Sequence, residues 1–182
     1  MRKRGTDMFE TPNLGIRLHD TVPGTLKERF DAARAQGFGC AHLALSKTLG
    51  PSFIDPAPLT PGVAAYVKRS MGDMDVTVLG CYLNLTHPDE SVYAETLKKY
   101  VAHLRFSRWM GAGMVGTETG NPNADYRYDP EHSHSDAALE MFLRRFEPVV
   151  RAAEKLGAII AIEPVYTHIV WCPKAARRVL DA

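Results

Sequence analysis

A chain of 182 residues is long enough for one domain with a substantial core and too short for two comfortable ones. With 45% hydrophobic residues, 24% charged residues and a formal net charge of +1, it carries no basic excess to neutralise a nucleic-acid backbone. The basic start Met1-Arg2-Lys3-Arg4 is followed by no apolar signal-peptide core, and no stretch approaches the ~20 apolar residues that cross a bilayer. A cytoplasmic protein with neither membrane nor nucleic acid as partner is expected. Cys40, Cys81 and Cys172 are odd in number and far apart, which suits small core residues in a reducing compartment.

A flexible tail is expected over 1–13, and one domain over 14–182. The first strand-like run is Leu14 to Leu18. Strand side chains alternate faces, so Leu14, Ile16 and Leu18 face helices while Arg17 and His19 look to the opposite side. Thr25-Leu26-Lys27-Glu28 is a capping box that opens a helix, Leu26, Phe30 and Ala33 form its apolar stripe, and Gly37 stops it. Cys40 to Leu45 is the second strand, with His42 on the face opposite Leu43 and Leu45. Thr60-Pro61 caps the second helix. Val76 to Asn84 is the third strand: Leu79, Cys81 and Leu83 fit the helix side, leaving Gly80, Tyr82 and Asn84 inward.

A third helix carries Val92, Leu97, Tyr100, Val101 and Leu104, with His103 read as a surface residue. Met114 to Glu118 is the fourth strand. His132 and His134 follow in a Pro- and Asp-rich loop and read as solvated. Ser135-Asp136 starts the fourth helix, with Phe142, Phe146, Val149 and Ala153 buried and Gly157 after it. The last strand, Ile159 to Glu163, lies in an all-apolar run that reads as buried on both faces until Pro164 ends its ladder. Pro173 opens a fifth helix that reads as still running at Ala182. Trp109 and Trp171 read as packing residues.

Strict β/α alternation means a parallel sheet with right-handed crossovers. The units take roughly 25 to 45 residues each, and an eight-unit barrel needs about 250. Two architectures remain: a small open sheet with helices on both faces, or an incomplete (β/α)8 TIM barrel comprising its first five βα units. Ending within a helix favours the second.

Chemistry in parallel α/β folds gathers at the carboxyl ends of strands. Glu163 is the leading candidate, because a carboxylate closing an apolar strand costs several kcal/mol unless it is paired or metal-bound. Glu118 ends the fourth strand on the corresponding face and either joins a site, caps its turn or pairs with Arg17. Arg17 itself either reaches the site or pairs with a carboxylate in the interior. His19, Asn84, His87 and His168 lie at or beyond strand ends, where function concentrates. His42 lies earlier in its strand and reads as a satisfied core histidine. What carries weight is that every strand places a polar group on the same face.

The runs Leu14-Gly15-Ile16-Arg17-Leu18-His19-Asp20, Leu43-Ala44-Leu45-Ser46-Lys47, Leu79-Gly80-Cys81-Tyr82-Leu83-Asn84, Val115-Gly116-Thr117-Glu118-Thr119-Gly120 and Ala161-Ile162-Glu163-Pro164-Val165 occur in that order. Together they resemble the sugar phosphate isomerase/epimerase family of the xylose-isomerase-like TIM barrels, from Leu14 onward. The resemblance implies a divalent-metal-dependent enzyme that moves a proton through an enediolate, with a small-molecule sugar or sugar phosphate as partner. It implies that Glu163 binds the metal (Mn, Mg, Co or Zn) and is catalytic. Glu118, His168, Asn84, His19, His87 and Arg17 would contact substrate or support the metal. The family's other ligands come from strands six to eight, which this chain lacks, so weak metal binding is expected and activity of this polypeptide is an open question. The alternatives are an inactive barrel fragment that self-associates into a homo-oligomer through its open sheet edges, and a hydrolase like the apurinic endonucleases of the same superfamily.

Overall fold

Residues 12–182 are described in a computed structural model. Residues 1–11 of the expected tail lie outside the described residues. Five strands, β1 (Gly15–Arg17), β2 (Cys40–Leu43), β3 (Asp75–Gly80), β4 (Met114–Thr117) and β5 (Ile160–Ile162), form one sheet in the order β1-β2-β3-β4-β5. Every neighbouring pair is parallel. The helices between and after them are α1 (Leu26–Ala35), α2 (Leu45–Thr48), α3 (Pro61–Met71), α4 (Glu90–Met110), α5 (Pro130–Ser133), α6 (Asp136–Leu156) and α7 (Pro173–Leu180). This is the α/β, partial-barrel architecture expected from the alternating pattern.

Local chemistry sets the helix starts. The Thr25 hydroxyl accepts from the Glu28 N–H while the Glu28 carboxylate accepts from the Thr25 N–H, closing the capping box. Thr60, Asp89 and Ser135 cap α3, α4 and α6 in the same way through a side-chain oxygen. Strand β2 stops at Leu43 rather than Leu45, because Leu45 already begins α2. Helix α7 ends at Leu180, with Asp181 at its C-cap paired to Arg177, so it does not run on to the last residue.

The core lies between the sheet and α1, α3, α4 and α6. Leu43, Leu79 and Val115 are fully buried there with Phe30, Leu104, Phe106 and Phe142. Tyr100 brings a hydroxyl into this core, where it donates to the Leu83 carbonyl at 2.9 Å and sits against the Thr117 hydroxyl. Sheet register slips between Ala41 and His42: Ala41 pairs with Val76 but His42 pairs with Val78. Val76 and Leu79 are therefore both buried although three residues apart.

Further sequence readings need correction. Strand β5 is not buried on both faces: Ile159 is 61% exposed and Ile160 to Ile162 are half-buried. It is an edge strand, paired only with β4, so its apolar side chains have neighbours on one flank alone. On its other flank an open cleft of about 880 Å³ runs between α6 and α7, lined by Leu143, Phe146, Ile160, Ile162, Val179 and Leu180. His103 is buried, not on the surface; it falls on the stripe Thr96, Tyr100, His103, Ser107 and Met110 that α4 turns inward. Its Nδ1 donates to the Lys99 carbonyl at 2.8 Å. Leu14 does not face helices; it is exposed ahead of β1. Among the described residues no helix is long and apolar enough to cross a membrane.

Candidate active site

The sheet face opposite the core collects the polar groups. His19, in the 3-10 turn that follows β1, stands edge-on to His42 of β2, with ring centroids 5.9 Å apart. The His42 Nε2 is 3.1 Å from the hydroxyl of Tyr82, just beyond β3. Two glycines make room for this pair. A Cβ on Gly80 would lie 2.6 Å from His42 Nε2 and 2.7 Å from the Tyr82 ring, and one on Gly116 would lie 2.7 Å from Val78 Cγ1 and 3.6 Å from the Tyr82 hydroxyl. The floor under Tyr82 is thus backbone, which only glycine leaves uncovered.

The two strand-end carboxylates both lie near the Tyr82 phenol. Burial pushes the Tyr82 phenol up to about 12, helped by the nearby charges of Glu163 and Glu118. Glu118 is itself raised above the usual carboxylate range, first by burial and then by the charge of Glu163. Glu163 follows β5, with its backbone N–H donating to the Thr117 carbonyl at 2.8 Å. The residue is exposed, so the desolvation cost expected for it does not arise: the open flank of β5 leaves it in contact with water.

His168 is buried and places Nδ1 3.8 Å from Glu118 Oε2, too far for a hydrogen bond, so that nitrogen has no hydrogen-bond partner. Its Nε2 faces the Tyr126 hydroxyl at 3.4 Å. Burial lowers its pKa, opposed in part by Glu163. Tyr126 is held at φ 58°, a left-handed conformation uncommon outside glycine, at this same contact. On the β1–β2 side the field has the opposite sign. Burial, followed by the charges of His19, Arg17 and Lys47, lowers His42 to about 4, so it is neutral at pH 7. Carboxylates gather at one end of the face, and cations and neutral imidazoles at the other.

The remaining sequence candidates are placed as follows. Arg17 is exposed and pairs with Asp20 at 2.6 Å rather than with an interior carboxylate. Asn84 donates to the Asn121 carbonyl at 2.8 Å and accepts from both Thr86 N–H and hydroxyl, tying the loop after β3 to the loop after β4. His87 accepts from the Asp89 N–H through Nδ1, and its carbonyl receives Arg145, which turns it to the start of α4 and to α6. The structure therefore brings Glu163, Glu118 and His168 together and leaves His87 apart. His134 is not a solvated loop residue: it stacks on Trp171 with centroids 4.4 Å apart. Two residues that touch this face were not site candidates from the sequence, His42 and Tyr126. For His42 the signal was present, since strand parity already put it on the face of Tyr82; for Tyr126 no spacing pointed to His168.

Among the described residues no three His, Cys, Asp or Glu side chains form a group able to hold a metal ion. Glu163, Glu118 and His168 have the right donor chemistry, but their arrangement does not fit a resident divalent ion without further ligands.

A family model described as xylose isomerase-like TIM barrel matches residues 30–182. No curated protein sequence matches the chain. Among solved structures it is similar to 3-keto-D-glucoside 4-epimerase YcjR from E. coli in its apo form, at 17% identity and a TM-score of 0.72 over 94% of this chain and 64% of that one. It is similar to the IolI protein with a bound zinc atom, at 14% identity and TM-score 0.66 over 92% and 58%. L-ribulose 3-epimerase matches at 13% identity and TM-score 0.66 over 92% and 56%. The chain spans about three fifths of the length of these structures.

Proposed function

Because the chain belongs to the xylose isomerase-like TIM barrel family, we propose that its strand-end carboxylates serve a sugar isomerase or epimerase reaction, by proton transfer beside a carbonyl. The carrying observation is that Glu118 and Glu163 follow the register-matched ends of β4 and β5, Thr117 and Ile162, beside His168 and near Tyr82 on the open face of the sheet. Two solved neighbours that are named sugar epimerases support the substrate class.

A carbonyl acidifies the adjacent C–H. Glu163, exposed and free to approach substrate, takes that proton, and the C–H electron pair moves into the enediolate. Tyr82 remains protonated at neutral pH and donates a hydrogen bond where negative charge builds on oxygen. Glu118, with its raised proton affinity, returns a proton from a second position. His168 lies 3.8 Å from Glu118, with Tyr126 against its other nitrogen. The divalent metal expected from the resemblance, which in the IolI structure is zinc, would use Glu163 as one donor. The described residues supply no complete ligand set, so no step is assigned to an ion. The buried thiols of Cys40 and Cys81 suit the expected cytoplasmic setting.

The test is deuterium uptake from heavy water into a panel of ketoses and ketose phosphates. Wild-type protein exchanges the α-proton, and Glu163→Gln loses exchange by about 10²- to 10⁴-fold. Full exchange in the variant, or none in the wild type with any member of the panel, removes the reading.

A further inference from the structure

Aromatic residues recur in the two loops that follow β4 and β5: Tyr128 and His134 in one, Tyr166 and Trp171 in the other. Their rings form one continuous cluster. His134 lies flat on Trp171, with an interplanar angle of 16°. Tyr166 stands almost perpendicular to that indole, 84° and 6.3 Å away. Tyr128 closes against both His134 and Tyr166. Aromatic residues usually hide such area, yet Tyr166 is 65% exposed and Trp171 39%. His134 covers one face of the indole, so the exposure of Trp171 belongs to what His134 leaves open.

The corner is built in advance. The Tyr166 carbonyl can only accept, so His134 carries its proton on Nε2 and donates at 2.8 Å, locking the two loops together. The Val170 N–H donates to Thr119 Oγ1 at 2.9 Å, and the Ile169 N–H donates to the Gly120 carbonyl at 3.1 Å. A ligand meeting this surface finds little left to order. The corner also adjoins the carboxylates. Tyr166 is three residues beyond Glu163, a span of at most roughly 10 Å. Tyr128 is two residues beyond Tyr126, which touches His168 beside Glu118.

We propose that Trp171 and Tyr166 form a ring-stacking subsite that selects a substrate containing a pyranose ring over an open-chain sugar. The C–H face of a pyranose is flat and apolar and fits against an indole, while its rim hydroxyls reach the phenol edges of Tyr166 and Tyr128. The inference rests on the proposed carbohydrate chemistry for the nature of the ligand, and on the loop geometry for the place.

Trp109→Phe leaves Trp171 as the sole indole reporter, and its fluorescence is titrated with methyl β-glucopyranoside and with sorbitol. A saturable change with the pyranoside and none with sorbitol is expected. In that background Tyr166→Ala, at an exposed position that carries no core packing, weakens the pyranoside by about tenfold. Trp171→Phe is followed by calorimetry and retains binding that Trp171→Ala loses. Equal responses to both ligands, no response to the pyranoside, or a fluorescence change that depends only on protein concentration, as for a second copy seated on the corner, each overturns the subsite. Ring binding and deuterium exchange are read separately. Ring binding without exchange keeps the subsite and removes the acid–base reading, while exchange without ring binding does the reverse.

Discussion

Strands β3 and β5 are both rich in apolar residues and both end beside the same polar face, yet they live in different surroundings. β3 has a strand on either side and helices behind, and its Leu79 is fully buried. β5 has one neighbour, and its isoleucines stay half in water. The contrast teaches that a run of isoleucine specifies a strand but not how many neighbours that strand acquires. Burial is a property of the pair or triplet, and so is the stability it confers.

Core truncation gives the largest contrast. Leu79→Ala should cost about 2–5 kcal/mol, whereas Ile162→Ala on the open flank should cost about 1 kcal/mol. Urea denaturation measures both, and equal costs would erase the distinction between the two strands. A smaller effect comes from the enclosed histidine. His42 is lowered to about 4 in the fold against an ordinary 6.5, so its neutral form is the one the fold favours. Its contribution is fully present above pH 6.5 and is lost as pH falls toward 4. His42→Asn should flatten the fall in unfolding free energy measured by urea denaturation across that window, by about 1–2 kcal/mol once solvent screening of the half-buried ring is allowed for. An unchanged profile would mean that the imidazole is not enclosed as described.

The smallest effects should be blind to the comparison. Thr25 caps α1 beside the closed half and Ser135 caps α6 beside the open flank. A cap is satisfied within its own first turn, so Thr25→Ala and Ser135→Ala should each cost about 1 kcal/mol in thermal melts. A marked inequality would show that the open flank weakens α6 as a whole.

Legibility in the sequence follows the same division. Strand order, the capped helix starts and the inward parity of His42, Tyr82, Glu118 and Glu163 were readable, because each depends on residues close in the chain. The reading of Ile159 to Ile162 as doubly buried failed, because it needed a neighbour that hydrophobicity cannot report. His103 was misread for a different reason. Its stripe runs at spacings of three and four through Thr96, Tyr100, Ser107 and Met110, and three of those members are polar or weakly apolar. The link between His42 and Tyr82 depends on a register slip at Ala41, which no local pattern announces. His134 looked like a loop residue because its partner, Trp171, arrives from the next βα unit.

Sheet order and chain order coincide, so each strand has its first docking partner ready before it is itself synthesised. As the nascent polypeptide leaves the ribosome, β2 can settle on β1, β3 on β2, and so onward without waiting for a distant segment. β1 keeps one edge unmet throughout, while the most recently made strand presents the other, and that second vulnerable position migrates along the message as translation proceeds.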